Sequence, residues 1–300
     1  MGAITLRGML NRRFLALLCC CAPSLAWAID LQPNDIVAPP PDITAAQVAF
    51  IHTERSDFYI NGNKAANNAR IPGNASVSSD LTLLRLTRSY TLGQLPAVSF
   101  IQTTAGNIRP SGSIGSFGSA EGMGDLSLAT AIWPYANHIS RTYLGVAGYV
   151  FLPTGSYSNQ RLFNLGENRY RTDLQIGFQK PIYRNLDGMI AFDTMWFGAN
   201  SQFLGNNQLT QKPLYSTQLG PSYRINPIFT VAASYLYVAG GETSINGVSQ
   251  NNMAQTQRYL LSAVAQTTVG KFTLQYGNDL QVTNGFAESR RLILRYAKAF

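Results

Sequence analysis

The chain has 300 residues, of which 45% are hydrophobic and only 13% are charged, with a formal net charge of +8. Soluble domains carry about 25% charged residues, and disordered chains combine low hydrophobicity with high charge, so the composition fits neither class. A bundle of membrane helices is excluded because it needs apolar runs of about 18 residues, and the longest run here is the nine residues Phe14–Ala22. The composition is instead typical of a closed β-barrel in a membrane, with few charges and with 26 glycines, 15 tyrosines and 15 phenylalanines.

Residues 1–28 are predicted to be a secretory signal peptide. Basic residues up to Arg13 precede the apolar run, and Ala26 and Ala28 supply the small residues of a cleavage site. The apolar run is too short to be a membrane anchor. All three cysteines lie in this segment, at positions 19 to 21, so the exported chain is expected to have no disulfide, no thiol catalysis and no cysteine–metal site.

Residues 29–44 differ from the rest of the chain because they are rich in proline and aspartate. Pro33 and the three prolines at positions 39 to 41 favour an extended segment that is not part of a sheet. Two interpretations stay open. The segment is either a solvated periplasmic tail or a piece of chain that folds into a barrel lumen and restricts it.

From Ala45 onward, apolar and polar residues alternate, and turn residues separate the segments. We therefore predict an all-β fold for residues 45–300, a transmembrane antiparallel up-and-down barrel of about twelve strands. Each predicted strand is close to the 9–11 residues that a tilted membrane strand needs. The strands are predicted at 46–58, 80–90, 95–105, 124–133, 141–153, 169–181, 187–198, 212–223, 228–239, 255–267, 271–281 and 288–300.

The connections between these strands alternate in length. Short ones are predicted at 91–94, 134–140, 182–186, 224–227 and 268–270, and long ones at 59–79, 106–123, 154–168, 199–211 and 240–254. Barrels of the outer membrane pair short periplasmic turns with long extracellular loops in this way. We therefore expect a protein of the outer membrane of a Gram-negative bacterium, with both ends of the barrel in the periplasm.

The last predicted strand ends at the chain terminus in an aromatic residue. Leu292, Leu294, Tyr296 and Phe300 share one face of it. Outer-membrane barrels commonly end in this way, in a pattern that resembles the signal read by their assembly machinery. Lys298 departs from the pattern, but a lysine near the interface can extend its amine into water. The expected partners are thus outer-membrane lipid and the barrel-assembly machinery.

Charged residues within or bordering the strands are assigned to the lumen, because an Arg or Lys on the lipid face costs roughly 2–4 kcal/mol at the bilayer midplane. Ion pairs among them would stiffen the barrel, or a constriction of mixed charge would select what passes, and both can hold. The assigned residues are Arg85, Asp125, Arg171, Asp173, Asp193, Arg258, Asp279, Arg291 and Arg295.

The sequence offers little for catalysis. His138 and Ser140 lie two residues apart, as in barrel phospholipases, but they fall in a predicted periplasmic turn and nothing marks a third residue to orient the histidine. A polar turn is the simpler interpretation. No metal or cofactor is implied, and no basic cluster points to nucleic acid.

Three local runs point to a family. They are Gly122–Leu126 (GMGDL), Tyr149–Tyr157 (YVFLPTGSY) and Asn164–Tyr170 (NLGENRY), followed by Gln175–Lys180. With the proline-rich start, they resemble the exported-protein family labelled with the meta-pathway of phenol degradation. The resemblance implies an outer-membrane barrel that admits hydrophobic substrates in aromatic degradation. Tyr157 is interpreted either as an interface residue or as a contact for substrate.

The functional prediction is a monomeric, passive channel for small hydrophobic or aromatic solutes, with a narrow or occluded lumen. Strand glycines such as Gly145, Gly148 and Gly177 suggest a weak wall through which apolar cargo could leave sideways. The alternatives are a non-conducting structural or adhesive barrel, a lipid hydrolase using His138 and Ser140, and a soluble exported β-sandwich.

Overall fold

The computed structural model describes residues 30–65 and 74–300, so the predicted signal peptide, its cysteines and the cleavage residues Ala26 and Ala28 lie outside the described residues. Twelve antiparallel strands form one barrel, each paired with the next. The last strand pairs with the first from Ala45 opposite Ala299 to Tyr59 opposite Gly285, which closes the sheet. The predicted twelve-stranded barrel is confirmed. The strands are β1 Thr44–Ile60, β2 Ser76–Leu92, β3 Leu95–Ser111, β4 Leu126–Asn137, β5 Thr142–Leu152, β6 Arg171–Tyr183, β7 Leu186–Phe197, β8 Leu214–Arg224, β9 Phe229–Gly240, β10 Ala254–Gln266, β11 Lys271–Val282 and β12 Gly285–Ala299.

The two faces of the wall carry different residues, as the period-two pattern requires. In β6, Leu174 and Ile176 are exposed on the outside, while Asp173 and Gln175 are buried on the inside. Every strand contributes at least one large apolar side chain to the outer face, so that this face can contact lipid acyl chains. One from each strand, in order, is Phe50, Leu84, Ile101, Leu128, Val150, Leu174, Phe192, Leu219, Val231, Leu261, Leu274 and Leu292.

Strands β2 and β3 extend further than the sequence predicts. Their ladder continues through Asp80 opposite Asn107 to Ser76 opposite Ser111. The predicted strands end at residues 80 and 105, and the outward residues beyond those points, such as Ser78 and Arg109, are polar. Backbone pairing does not depend on that polarity, so the hairpin rises beyond the apolar band.

The ends of the barrel differ in the length of their connections. Both barrel termini lie at the short-turn end, where the Phe300 N–H donates to the Thr44 carbonyl oxygen. At the opposite end the sixth connection is only Thr283 and Asn284, so the alternation in length is not strict. The Asn61 N–H donates to Asn284 Oδ1 there. The long connection predicted at 59–79 lies partly outside the described residues.

Short elements cover the long-loop end. A 3-10 helix spans Gly112–Phe117, and two-residue and four-residue strands at Asn63–Lys64 and Ala120–Met123 pair with β1 and β3. A separate small sheet is made of Asn200–Phe203, Asn207–Gln211, Thr243–Ile245 and Val248–Ser249. Within residues 30–65 and 74–300, no helix is long and apolar enough to span a bilayer.

The C-terminal face has the geometry that the sequence suggests. Leu292, Leu294 and Phe300 are exposed on the outer surface. The Tyr296 ring packs against Phe272 with centroids 4.9 Å apart, and its hydroxyl donates to the Val269 carbonyl oxygen. A role in membrane insertion stays a prediction.

Candidate functional site in the barrel lumen

Residues 30–43 are here called the plug segment; residues 30–39 lie inside the barrel, and residues 40–42 are exposed at its end. The Leu31 N–H donates to Gln218 Oε1, and Gln218 Nε2 donates back to the Leu31 carbonyl oxygen, each at 2.9 Å. Trp133 Nε1–H donates to the Ile36 carbonyl oxygen at 2.8 Å. Buried hydrogen bonds of this kind satisfy polar groups that would otherwise be costly to enclose. The plug segment is therefore held by three specific bonds to β8 and β4.

Two inward-facing glycines make room for this segment. Gly145 and Gly177 lie opposite each other on β5 and β6. A Cβ on Gly177 would lie 3.0 Å from the Ile36 side chain, and one on Gly145 would lie 3.2 Å from the Trp133 ring nitrogen. Both glycines thus permit close packing inside the lumen, which is a role that the sequence did not suggest. Gly148 differs, because it faces outward and a Cβ there would meet no atom within 4 Å.

Six charged side chains form one group, here called the β10–β12 ion cluster. Glu288 is at its centre, with Oε1 2.5 Å from Arg291 Nε and 3.6 Å from Arg258 Nη2, and Oε2 3.1 Å from Arg55 Nη2. Asp279 Oδ1 lies 2.7 Å from Arg258 Nε, and Asp30 of the plug segment lies 3.2 Å from Arg291 Nη1. Three arginines and three carboxylates balance in formal charge.

Sequence reasoning found Arg258, Asp279 and Arg291 of this cluster but not Glu288. Strict alternation from Leu292 places Glu288 on the lipid face. A β-bulge lies where Glu54 and Arg55 pair with β12, and it shifts the register by one residue. Glu288 therefore turns inward and is completely buried. An acidic residue beside Leu292 and Leu294 on a predicted lipid face was the available signal.

Asp125 holds a long loop in place. Its Oδ1 accepts from the Gly155 N–H at 3.0 Å, and its Oδ2 accepts from the Glu167 N–H at 3.1 Å. Burial raises the pKa of this carboxyl above its ordinary value, against the effect of these N–H groups. Arg171 Nη1 lies 3.1 Å from Glu167 Oε1 and its Nη2 lies 3.8 Å from Asp125 Oδ2. The Arg171 guanidinium also lies 4.3 Å from the centroid of the Phe151 ring.

The family motifs meet in this same place. A Cβ on Gly155 would lie 2.7 Å from the Gly166 Cα, so the P-T-G and N-L-G runs approach too closely for any other residue. Tyr157 donates its hydroxyl hydrogen to the Gln202 carbonyl oxygen and accepts from Asn200 Nδ2, both at 2.9 Å. Tyr157 thus ties the loop to the small sheet at the long-loop end, and the two roles predicted for it stay predictions.

The same loop closes the outer end of the barrel with apolar side chains. Leu162, Phe163 and Leu165 are buried in a cluster that also contains Ile108 of β3 and Phe286 of β12. We call this cluster the apolar cap. The sequence placed these residues in a long polar loop, and the L-F-N-L run in that loop was the missed signal.

Below the cap, a cavity of about 240 Å³ separates the plug segment from the wall. Phe100, Trp133 and Tyr149 line one part of it, and Arg85 lines another. The Arg85 guanidinium lies 4.3 Å from the Phe100 ring centroid, and Arg85 Nε donates to Gln102 Oε1. The cavity therefore has three aromatic side chains in its wall together with aliphatic ones, the cationic Arg85, and the carboxylates Asp30 and Asp35 of the plug segment.

The remaining predicted charges face the lumen from two opposite walls. Arg295 on β12 is on the same side as Arg85, and Asp173 and Asp193 lie on β6 and β7. Asp193 Oδ2 accepts from the Ser216 hydroxyl and from Gln175 Nε2. Both carboxyl oxygens of Asp173 are buried without a hydrogen-bond partner in the part of the chain that the structure describes.

The turn with His138 and Ser140 shows no catalytic arrangement. His138 Nδ1 lies 3.1 Å from the Tyr143 hydroxyl, and the Ser140 N–H donates to Asn137 Oδ1. Across residues 30–65 and 74–300, no group of three or more His, Cys, Asp or Glu side chains could hold a metal.

Comparison with known proteins agrees with this geometry. Residues 60–296 match the family model described as "Putative MetA-pathway of phenol degradation". The crystal structure of the COG4313 outer membrane channel from Pseudomonas putida F1 is 29% identical, with a TM-score of 0.85 over 90% of this chain and 100% of that chain. No curated protein gives a significant sequence match.

Two less similar structures were also found. The TodX monoaromatic hydrocarbon channel deltaS2 mutant is 10% identical, with a TM-score of 0.49 over 90% of this chain and 93% of that chain. The KdgM porin in complex with disordered oligogalacturonate is 7% identical, with a TM-score of 0.46 over 85% and 99%. Family match and barrel fold together are those of a non-enzymatic outer-membrane channel.

Proposed function

The chain belongs to the phenol-degradation MetA pathway family, and on that premise we propose that it is a passive channel that admits small hydrophobic or aromatic solutes through the outer membrane. The match to the family model confirms the family resemblance that the motif runs indicated. The proposal includes export with a cleaved signal peptide, assembly by the barrel machinery and a monomer in lipid.

The observation that carries the proposal is the aromatic cavity inside the lumen. Phe100, Trp133 and Tyr149 offer ring faces to a solute, and Val98 and Ala131 add apolar surface. Ligand sites are mostly apolar with a few placed polar groups, and those for drug-sized molecules measure about 300–1,000 Å³. A cavity of about 240 Å³ is therefore suited to a solute of roughly one substituted ring.

A passage from the cell surface must cross the apolar cap and then pass the plug segment. An apolar solute can partition into the cap because Phe163 and its neighbours exclude water there. Hydrophilic solutes gain nothing from such a surface and must also lose hydration. We propose that the closed cap and the plug segment together make the channel selective for apolar solutes.

The test uses two adjacent residues of β5 that face opposite sides of the wall. Ala147 lines the cavity, and Gly148 points outward into free space. Ala147→Trp is expected to fill the cavity and to lower the uptake of labelled toluene at least severalfold, while Gly148→Trp keeps the parent rate. Uptake is measured in cells with an intact lipopolysaccharide leaflet, because toluene crosses simple liposomes unaided.

Heat-modifiable migration on gels checks that both variants form the folded barrel. If cells that express the parent chain take up toluene no faster than cells without it, the channel proposal is wrong.

A non-conducting display barrel is the second candidate, favoured by the closure of both ends of the lumen. The structure has an apolar cap at one end and a bonded plug segment at the other. Solute uptake that Ala147→Trp abolishes would exclude this candidate. If neither the parent chain nor its variants take up solute although their barrels are folded at the cell surface, this candidate is supported.

A further inference from the structure

We infer that the lumen contains a binding subsite for the carboxylate of an amphiphilic anion, formed by Arg85, Arg295 and Gln47. The solute would place its apolar body against Phe100 and Tyr149. This inference names the solute class of the channel. Its relevance to transport rests on the proposed function.

The three residues lie side by side on neighbouring strands. Gln47 of β1 pairs with Arg85 of β2, and the nearby Ala49 pairs with Arg295 of β12. Neighbouring strands are about 4.8 Å apart, so β12 and β2 place the two arginines roughly 10 Å apart with Gln47 between them. All three side chains point into the lumen, because they share the inward parity of buried Ala49.

The two arginines lack a carboxylate partner in the part of the chain that the structure describes. No carboxylate lies within 4 Å of the Arg85 or Arg295 guanidinium, whereas every arginine of the β10–β12 ion cluster has one. Arg295 Nε and Gln47 Nε2 are buried without a hydrogen-bond partner. Buried donors are nearly always satisfied in native proteins, so these two donors beside the Arg85 guanidinium indicate that an acceptor is to be supplied.

The plug segment provides the charge that the subsite attracts, but at longer range. The Asp35 carboxylate is the strongest attractive charge on both guanidinium groups, yet its Oδ2 accepts from the Gln32 N–H of its own segment. Two arginines against Asp35 leave one positive charge uncompensated. Asp30 also attracts the Arg295 guanidinium, but its partner Arg291 repels the same group, so this pair changes the sum little.

The opposite wall sets the orientation of the solute. Asp173 and Asp193 face the lumen from β6 and β7, about half a turn around the barrel from β1. A carboxylate gains no attraction from those two acidic groups and is attracted to the wall that carries Arg85 and Arg295, here called the arginine wall. The Phe100 ring, stacked under the Arg85 guanidinium, then receives the apolar part of the same molecule.

The test compares benzoate with benzamide, two probes with the same ring and nearly the same shape that differ in charge. The full chain is purified from outer membranes in detergent. Trp196, which faces outward, is changed to Phe in every protein so that Trp133 beside the cavity reports binding. We expect benzoate to bind at least about tenfold more tightly than benzamide, as a charge-assisted hydrogen bond allows.

The double variant Arg85→Gln with Arg295→Gln is expected to bring the two affinities together. Arg290→Gln removes the same charge from the outer face of β12, where Arg290 is exposed, and should keep the benzoate preference. The double variant Arg85→Lys with Arg295→Lys should keep most of the benzoate preference, because it keeps both positive charges. It thereby distinguishes an effect of charge from an effect on folding. Asp35→Asn should raise benzoate affinity a few fold, because a competing carboxylate is lost.

Equal affinities in the parent, no response of Trp133 to either probe, or an unchanged preference in the double Gln variant would overturn the inference. Uptake into cells is read separately. A benzoate preference without any uptake refutes transport and leaves the subsite standing, whereas toluene uptake without a preference refutes the subsite alone.

Discussion

Two sets of arginines face the same lumen and are treated differently by the fold. In the β10–β12 ion cluster, each guanidinium is matched by a carboxylate, with Glu288 shared among three of them. On the arginine wall, Arg85 and Arg295 have no such partner in the described part of the chain. The contrast separates charges that hold the barrel together from charges that remain able to contact a solute.

The largest effect is expected from removing the shared acid. Glu288→Gln leaves three buried arginines with one carboxylate fewer, and breaking a buried ion pair typically costs about 3–5 kcal/mol. The unfolding midpoint in denaturant should fall strongly. Glu54→Gln is the matched control, because Glu54 is an exposed partner of Arg290 and His52 and such pairs contribute about 0–1 kcal/mol. Equal midpoints for the two variants would contradict a structural role for the cluster.

Next in size is the glycine contact that joins the family motifs. Gly155→Ala would place a Cβ 2.7 Å from the Gly166 Cα, and such overpacking typically costs about 1–3 kcal/mol. Protease should cleave the loop 153–170 faster in this variant than in the parent. Gly148→Ala, which meets open space, provides the comparison. Loop cleavage at the parent rate would mean that the backbones can separate without cost.

A smaller effect is expected where the plug segment is attached. Trp133→Phe keeps an aromatic but smaller side chain and removes the hydrogen bond to the Ile36 carbonyl oxygen, a bond that contributes about 0.5–1.5 kcal/mol. Ion conductance in planar bilayers should rise severalfold as the segment leaves the lumen more often. Trp196→Phe on the outer face is the control. A conductance identical to that of the parent would show that this bond does not hold the segment.

The smallest effect on stability is expected on the arginine wall. Arg85→Gln removes a side chain with one hydrogen bond to Gln102 and a contact with the Phe100 ring. The free energy of unfolding should change by less than about 1 kcal/mol, while the preference for benzoate over benzamide falls. A loss of stability as large as that of Glu288→Gln would show that Arg85 is a structural charge. The distinction between the two sets of arginines would then be wrong.

Sequence reasoning reached the strands and most of the lumen charges because both follow local rules. Alternation in β6 separates Asp173 from Leu174 without any knowledge of neighbours. It failed at Glu288, where a bulge in the pairing of β1 with β12 shifts the parity. A bulge depends on two strands that are far apart in the sequence, so no local pattern announces it.

Tyr157 and the loop around it show the same limit. Its two hydroxyl bonds go to residues 43 and 45 positions away, in a small sheet that forms only when two loops meet. The close approach of Gly155 and Gly166 is likewise a property of the folded loop. The motifs were recognisable in the sequence, but their common purpose was not.

The sequence by itself determined that this is a closed β-barrel with an apolar exterior, because lipid contact demands alternation on every strand and leaves its pattern in the composition. Only the tertiary structure decided what fills the lumen. The plug segment packs Ile36 against Gly177 and bonds to Gln218 and Trp133, and the arginines divide into those with and those without a carboxylate partner. Those outcomes depend on distances between strands that are remote in the sequence. The local residue pattern of one segment contains no information about such distances.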